Sequence, residues 1–448
     1  MNSILSLFKN KSLWFSAISI VVLFLIVPYS IFNYSYLLFS GMITLMAISL
    51  FSDKKGFVVV IMAYSLMIPF GDFKIGTGAT YYITYSCVFI CWILSILLKK
   101  KVKYNFTHLI KIGLLLLFIS FFFAIKNNTF LEINIIVYYL LSTFVLFYIS
   151  FCDPITLEEF FFLLDLIFYF IVYYVIKEMI FHQSPYQFLY DNLLFDHQLR
   201  AKGLTGNALL LSCFLSFYHT ALLIKGMIFK KWNILNFILL FPLVFLCASK
   251  TGFILIVFGW LLFFVLSKAY KNGKVYIGFL ILIGLSFQLF PVFDTFTEVP
   301  LERMLNSNTD QRVGSYSIAT QIIGQNQLGV GLSKVGMENE INRAIYKLNS
   351  LYDSDFLILD NSYLTALVSY GVLGFLLFVI YINPVRFAIK KGNSERFKKQ
   401  KNVILLLFII WLLQNFSFDT FYHFSSNCFY FLLSGLIIKH FSFNKVEN

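Results

Sequence analysis

A few cations beside glycines are the residues best suited to chemistry in an otherwise apolar chain. They are Arg200 and Lys202 next to Gly203, Lys250 two residues before Gly252, and Arg312 in a glycine-containing stretch. An arginine guanidinium can bind two phosphate oxygens at once, and backbone amides in a glycine turn can bind the same anion. The pattern therefore predicts a diphosphate-binding site.

Each of these cations also has an ordinary structural interpretation. Arg200 and Lys202 could be solvated or anchor lipid headgroups, and Lys250 could extend its stem along the membrane interface. Arg312 could pair with Asp310 or cap its own helix. These alternatives stay open at the level of sequence.

Arg312 lies in the longest polar segment, residues 292–360. A connection of this length inside a compact architecture is usually functional or disordered. Thr309 or Asp310 can cap a helix in which Val313, Tyr316, Ala319, Ile322 and Ile323 recur every three to four positions, and glycines from Gly324 onward end it. The segment therefore predicts a functional loop that carries a short helix on the membrane surface.

Composition places the chain among integral membrane proteins. Of its 448 residues, 59% are hydrophobic and 13% are charged, whereas an ordinary soluble domain has about 25% charged residues. Because about 20 apolar residues span the hydrocarbon core as a helix, the apolar runs predict about 14 transmembrane helices. The predicted fold is an all-α polytopic membrane domain over residues 1–448, with outer loops at 182–206 and 292–360.

The predicted spans follow one another along the whole chain. They lie near residues 12–32, 34–51, 56–70, 81–98, 109–125, 131–151, 158–181, 207–224, 232–248, 251–267, 275–291, 361–382, 402–418 and 424–440. The first shows no cleavage pattern typical of a signal peptide, so we expect a permanent helix.

The placement of lysine and arginine predicts the orientation of these spans. Most of the 35 basic residues fall on one side if both termini are cytoplasmic, as the positive-inside rule requires. The net charge of +13 then comes mainly from lysine and arginine in the cytoplasmic loops, where they orient the spans. Nucleic acid is therefore not expected as a partner.

The polar segments contain no motif of a soluble enzyme. There is no G-x-S-x-G elbow, phosphate-binding G-x-x-x-x-G-K-[ST] loop, H-E-x-x-H or dinucleotide fingerprint, and no Cys/His pair has metal-ligand spacing. We therefore expect no metal and no cofactor, and a reaction that uses an already activated substrate.

Four motifs in a fixed order resemble the O-antigen polymerase and ligase superfamily. They are R-A-K-G-L-T-G-N from Arg200, A-S-K-T-G around Lys250, Q-R-V-G-S-Y-S-I-A-T-Q-I-I-G-Q-N-Q-L-G-V-G around Arg312, and D-N-S-Y-L-T-A-L-V-S-Y-G-V-L-G from Asp360. The resemblance covers about residues 195–380. Arg312 is separated from Gly324 by one residue more than in the polymerase pattern, and Arg200 lacks such a glycine.

This resemblance implies a membrane glycosyltransferase at the outer face of a bacterial plasma membrane. Its substrate would be an oligosaccharide linked to a polyprenyl diphosphate, and a chain-length regulator and a flippase would be further partners. Arg200 and Arg312 resemble the two loop arginines of the family, and Lys250 occupies the place of a basic residue after the serine.

The related ligases carry a histidine in the long loop, and residues 292–360 contain none. We therefore favour repeat-unit polymerase over ligase, and a lipid-linked oligosaccharide flippase or other polytopic transporter is a third alternative. Asp360 stands near the position of that histidine and is the predicted catalytic base, ahead of Asp196 and Asp310. A plain N-cap role for Asp360 is an equal alternative.

Two further expectations concern the seventh predicted span. Asp165 lies inside it and must face other helices, because a carboxylate is costly in hydrocarbon. Thr156 and Glu159 have the spacing of a capping box at its start.

Overall fold

The computed structural model describes residues 11–33, 57–67, 107–128, 132–133, 136–181, 201–205, 208–247, 249–267, 309–332, 361–389, 395–416 and 424–443. All regular structure within these ranges is helical. The α-helices are α1 Lys11–Asn33, α2 Phe57–Met67, α3 Thr107–Asn127, α4 Ser142–Cys152, α5 Leu157–Phe181, α6 Ala208–Phe229, α7 Ile234–Leu246, α8 Lys250–Ser267, α9 Thr309–Gln325, α10 Ser362–Tyr370, α11 Val379–Ile389, α12 Glu395–Gln414 and α13 Phe424–Phe443. A π-helical segment, Ile136–Leu141, precedes α4, and 3-10 segments occupy Gly203–Thr205 and Gly371–Phe378.

The lengths and composition of these helices agree with a polytopic membrane protein. In the described part of the chain, four helices have both the length and the hydropathy needed to cross a bilayer, namely Leu157–Ile180, Ala208–Phe229, Lys250–Ser267 and Ser362–Ile389. The predicted spans near 34–51, 81–98 and 275–291 lie outside the described residues. The total of about 14 spans therefore stays a prediction, while the all-helical polytopic class is confirmed.

Aromatic side chains form the centre of the bundle between α11, α12 and α13. Tyr381 stacks on Trp411 with ring centroids 3.9 Å apart and on Phe431 at 5.1 Å. The Tyr430 hydroxyl donates to the Tyr381 carbonyl oxygen at 2.6 Å, and the Tyr381 hydroxyl donates to Asn427 Oδ1 at 3.0 Å. Because lipid is as apolar as these rings, close packing and interhelical hydrogen bonds hold the helices together.

One end of the bundle is fixed by polar contacts between α2, α5 and α13. The Asp153 carboxylate accepts a hydrogen bond from the Val58 amide at 3.2 Å. Lys439 Nζ donates to the carbonyl oxygens of Asp153 and Ile155. Thr156 and Glu159 form the predicted capping box, with Thr156 N to Glu159 Oε2 at 2.9 Å and Glu159 N to Thr156 Oγ1 at 3.3 Å.

The same end contains the C-termini of α6 and α8 and the start of α12. Lys399 Nζ donates to the Ile228 carbonyl oxygen at 3.1 Å, and Asn402 Nδ2 donates to the Leu266 carbonyl oxygen at 2.8 Å. Helix α12 therefore runs antiparallel to both α6 and α8. It follows that the starts of α6 and α8 lie at the opposite end of the bundle together with the end of α12, and we call this opposite end the loop end.

Asp165 faces the interior of the bundle, as predicted. Its carboxylate accepts hydrogen bonds from the Tyr218 hydroxyl at 2.6 Å, Lys225 Nζ at 2.8 Å and Asn236 Nδ2 at 3.1 Å. The Lys225 and Asp165 side chains are only 19% and 15% exposed. The ion pair thus links α5 and α6 where neither charge could remain alone without cost.

We expect Lys225→Met to destabilise the protein, because it leaves the Asp165 carboxylate buried without its cation. Removing one partner of a buried ion pair lowers the free energy of unfolding by about 3–5 kcal/mol. Because water still reaches part of this pair, we expect a loss at the lower end of that range. The double substitution with Asp165→Leu should be closer to the parent, since it leaves no lone charge.

Thermal unfolding in detergent would measure both changes. Lys231→Met is a matched control, since its 3.2 Å ion pair with Glu158 is about half exposed and such pairs contribute little. Equal melting temperatures for Lys225→Met and Lys231→Met would contradict the prediction.

Candidate functional site

The first basic segment, residues 201–205, is held against the loop end by its backbone. The Ala201 amide donates to the Leu246 carbonyl oxygen at 2.9 Å. The amides of Lys202 and Gly203 donate to Glu178 Oε2 at 2.9 and 2.6 Å, and Glu178 is only 6% exposed. Gly203 has a φ of +51°, a left-handed conformation that glycine adopts readily. A buried carboxylate in the last turn of α5 therefore fixes the backbone that directly follows Arg200.

Lys250 lies beside this segment at the loop end. The carbonyl of Leu246, at the end of α7, binds Ala201, and Lys250 begins α8 shortly afterwards. The Ser249 hydroxyl accepts from the Gly252 amide at 3.4 Å at the start of the same helix. A helix N-terminus and a lysine in its first turn both favour an anion. The predicted basic residues Lys202 and Lys250 thus belong to neighbouring segments.

The predicted helix of the long loop is confirmed as α9, which begins at Thr309 and ends at Gln325. Ala319, 1% exposed, packs against the fully buried Val368 of α10, together with Ile322 and Ile323. Tyr316 was predicted on the apolar face but is 38% exposed. Arg312 lies in the first turn of α9. The apolar face of α9 is thus covered by α10.

A glycine turn connects α9 to the break in the late transmembrane span. The Val330 amide donates to the Val368 carbonyl oxygen at 2.9 Å, and the Gly331 amide donates to the Ser369 carbonyl oxygen at 2.7 Å. Helix α10 ends at Tyr370, so these last carbonyls need partners from outside the helix. Gly371 then has a φ of +56° and a 3-10 segment continues the span. The long loop therefore pairs with a discontinuous helix.

A second buried glutamate holds this turn from the other side. Glu132, fully buried, accepts from the Leu332 amide at 3.0 Å and the Tyr370 hydroxyl at 2.9 Å through Oε2, and from Asn127 Nδ2 at 3.2 Å through Oε1. Asn127 Nδ2 also donates to the Val330 carbonyl oxygen at 2.8 Å. Lys126 Nζ donates to the Gly329 carbonyl oxygen at 2.7 Å. The turn after α3 thus binds residues about 200 positions later in the chain.

Neither glutamate was identified as part of the site from the sequence. Glu178 lies near the end of an apolar helix that shows no polar periodicity. Glu132 follows a short polar turn that matches no motif. A charged residue inside or beside an apolar span is the signal that could have indicated both. Both accept from backbone amides, at Leu332 for Glu132 and at Lys202 and Gly203 for Glu178, and no sequence pattern identifies such partners.

The start of α10 corrects the alternative interpretation of Asp360. Asn361 is the N-cap residue, and its Oδ1 accepts from the amides of Tyr363 at 2.9 Å and Leu364 at 3.1 Å. The N-cap role offered for Asp360 is therefore wrong. The Ser362 amide donates to the Asn415 carbonyl oxygen at 2.9 Å, so α10 begins at the loop end.

The remaining predicted site residues differ in what the structure describes. Arg200, Asp196 and Asp360 lie outside the described residues, and for Arg312 and Asp310 the structure describes the helical backbone alone. Lys202 and Lys250 are both half-buried. The structure thus locates the segments that carry the basic residues, and the proposed diphosphate contacts stay a prediction.

Comparison with known families gives one match. Residues 235–379 match a family model described as O-antigen ligase. No curated protein matches the chain. The resemblance to the O-antigen polymerase and ligase superfamily is therefore confirmed.

The region that matches the O-antigen ligase family model contains the Lys250 segment, α9 with Arg312, the glycine turn and the interrupted span of α10. Arg200, Lys202, Glu132 and Glu178 lie before it in the sequence. The first half of the chain thus contributes two buried carboxylates that hold segments at the loop end. The segment that Glu132 holds, at Leu332, lies inside the matched region.

We expect Gly331→Ala to destabilise the protein. Gly331 has a φ of +100°, and an added Cβ would overlap Glu132 Oε1 and Asn127 Nδ2. The strain should cost about 1–3 kcal/mol, measured as a lower melting temperature in detergent.

Gly324→Ala is the matched control, because its added Cβ meets no atom within 4 Å. It lies in α9, where alanine is favoured over glycine by about 0.5–1 kcal/mol. Similar melting temperatures for the two variants would refute the packing described for the glycine turn.

Proposed function

We propose that this protein polymerises lipid-linked oligosaccharide repeat units at the outer face of a bacterial plasma membrane. The observation that carries the proposal is that two segments with basic residues, 201–205 and Lys250, are fixed side by side at one end of a helical membrane bundle. The second of these segments lies in the region that matches the O-antigen ligase family model. Members of that family are membrane enzymes that act on lipid-linked sugars.

Polymerase is favoured over ligase because the long loop, residues 292–360, contains no histidine. The related ligases carry a histidine near the start of the following helix. Here that position is occupied by Asp360 and the capping residue Asn361. Transfer of finished polymer to a second acceptor is the alternative activity. A ligase with this sequence would need a base other than histidine at this position.

The proposed reaction transfers a sugar chain from a polyprenyl diphosphate to the hydroxyl of a second lipid-linked chain. The diphosphate is already a good leaving group, so the protein needs to stabilise its charge as it departs. Arg312, Arg200, Lys202 and Lys250 would provide this charge. Arginine suits this role because its planar fork can bind two phosphate oxygens.

Asp360 is our candidate for the base that accepts the proton of the acceptor hydroxyl. The correction of the N-cap to Asn361 strengthens this assignment, since Asp360 is no longer needed to satisfy the first amides of α10. Alignment of the acceptor hydroxyl with the sugar carbon would supply the rest of the acceleration.

The proposed topology places the loop end outside and both termini in the cytoplasm. It rests on the positive-inside rule and on Lys399 and Lys439, which lie at the opposite end of the bundle. The proposed partners are a flippase that delivers the lipid-linked units and a chain-length regulator.

The topology predicts that a cysteine introduced after Gly336 reacts with a membrane-impermeant maleimide in intact cells. A cysteine introduced after Lys391, between α11 and α12, should react only after permeabilisation and is the matched control. Labelling of the Gly336 position solely in permeabilised cells would reject the proposed orientation.

We expect Arg312→Ala and Arg200→Ala to abolish polymer while the protein still accumulates in the membrane. Lysine at either position should restore activity only in part, because it lacks the bidentate geometry. Polymer length on a gel is the measurement. Arg386→Ala is the matched control, since this exposed arginine lies in the last turn of α11, far along the span from α10.

Asp360→Asn should likewise leave single repeat units in place of polymer, because the amide cannot accept the proton. If the protein is a ligase, the same variants would retain polymer and lose its transfer to the acceptor. Parent-length polymer in all three variants would exclude the polymerase assignment.

A further inference from the structure

We propose that Glu132 is a positioning residue that fixes the Arg312-bearing helix α9 against the interrupted span. The inference rests on the function proposed above, because it assigns Glu132 a part in that reaction. Glu132 precedes the matched family domain and lies more than 170 residues before Arg312 in the sequence.

The hydrogen bonds of Glu132 exclude it as a catalytic base. Both carboxylate oxygens accept bonds, Oε2 from the Leu332 amide and the Tyr370 hydroxyl, and Oε1 from Asn127 Nδ2. The residue is fully buried. A base must lie within hydrogen-bond reach of the substrate hydroxyl, whereas this carboxylate is buried and faces the protein's own donors.

A carboxylate suits this place because three donors converge on it. An ionised carboxylate is acceptor-only and has about four lone-pair sites. Glutamine would keep one acceptor oxygen but would direct an amide NH2 toward at least one of the donors. The bonds to a charged acceptor are also stronger than neutral ones. Glu132 therefore anchors the glycine turn more firmly than a neutral residue of the same size.

The anchor controls the position of Arg312 through a rigid helix. Helix α9 has two described attachments, the packing of Ala319 on Val368 and the glycine turn that follows Gln325. Arg312 lies seven residues before Ala319, about 10 Å along the helix axis. If the turn comes loose, only the contact of Ala319 with Val368 still holds α9 among these attachments. The helix can then lift away from α10, opening that contact and displacing the arginine, and small displacements of a catalytic group lower the rate strongly.

Tyr370 connects the same carboxylate to the break in the span. Its hydroxyl donates to Glu132 Oε2 at 2.9 Å, and the residue after it, Gly371, has the positive φ at which the α-helix ends. Its ring also packs on Phe123 of α3 with centroids 4.6 Å apart. Glu132 thus joins α3, the glycine turn and the discontinuous helix at one point.

The test measures the position of α9 and the reaction separately in the full-length protein. Ala319→Cys places a thiol in the buried contact with Val368, and Ser317→Cys places one on the exposed side of α9. Each is combined with Glu132→Ala, Glu132→Gln or Tyr370→Phe, and its rate of reaction with a maleimide is followed in reconstituted vesicles. The chain without an introduced cysteine corrects for its native thiols.

We expect Glu132→Ala to speed labelling at position 319 about tenfold or more, because it removes three bonds to a charged acceptor. Labelling at position 317 should stay unchanged. Glu132→Gln should give a smaller increase, and Tyr370→Phe, which removes one donor and keeps the ring, should give the smallest. This order distinguishes loss of the anchor from general misfolding, which would speed labelling at both positions.

The kinetic measurement uses lipid-linked repeat units as substrate. In Glu132→Ala, kcat should fall about tenfold or more while KM changes less than about threefold, since a displaced arginine stabilises the transition state poorly. Glutamine should recover part of kcat. A smaller fraction of active protein would also lower the apparent kcat at an unchanged KM. The amount of folded protein in the vesicles is therefore measured for each variant, and kcat is normalised to it.

Two results would overturn the inference. Unchanged labelling at position 319 in Glu132→Ala would show that the carboxylate does not hold α9, and faster labelling with unchanged kcat would show that its anchoring does not serve the reaction. Failure of the proposed function would give a different result. In that case Arg312→Ala would retain activity, and labelling at position 319 in this variant would proceed at the parent rate.

Discussion

The structure depends on the requirement that backbone polar groups in and near a bilayer must find partners within the protein. Continuous helices satisfy this requirement by themselves, and the loop end of this bundle does not consist of continuous helices. Here the amides of Lys202, Gly203 and Leu332 donate to two buried glutamates, and the last carbonyls of α10 accept from the glycine turn. Irregular backbone can therefore persist at the loop end and, in residues 201–205, carry a basic residue.

Carboxylates as anchors have an electrostatic consequence for an anion-binding site. Each glutamate offsets part of the positive charge of the cations near it, yet both direct their oxygens into the protein, toward amides and the Tyr370 hydroxyl. In the proposed reaction a diphosphate would meet the cations of these segments, while the carboxylates hold the backbone from the protein side. A neutral acceptor would bind the amides less strongly. A carboxylate therefore holds the backbone more firmly, although it lowers the net positive charge of these segments.

The opposite end of the bundle is held in a different way. There, lysines donate to backbone carbonyls: Lys399 to Ile228 in the last turn of α6, and Lys439 to Ile155 in the link between α4 and α5. A cation at a helix C-terminus also complements the helix dipole. Lysines that the positive-inside rule interprets as topological signals thus also tie helices together. The buried pair of Asp165 and Lys225 extends this polar framework into the apolar part of the bundle.

The sequence by itself determined the membrane class, the positions of most helices and the capping box at Thr156, because these follow from local hydropathy and residue spacing. It also predicted helix α9 and the order of motifs that led to the family. It did not reveal that the span from Ser362 to Ile389 is interrupted at Gly371, since hydropathy is continuous there. Glu132 and Glu178 were missed because each accepts from backbone amides of a segment distant in the chain, at Leu332 for Glu132 and at Lys202 and Gly203 for Glu178. Only the tertiary structure decides such contacts, as a hydrogen bond to a backbone amide leaves no trace in residue type.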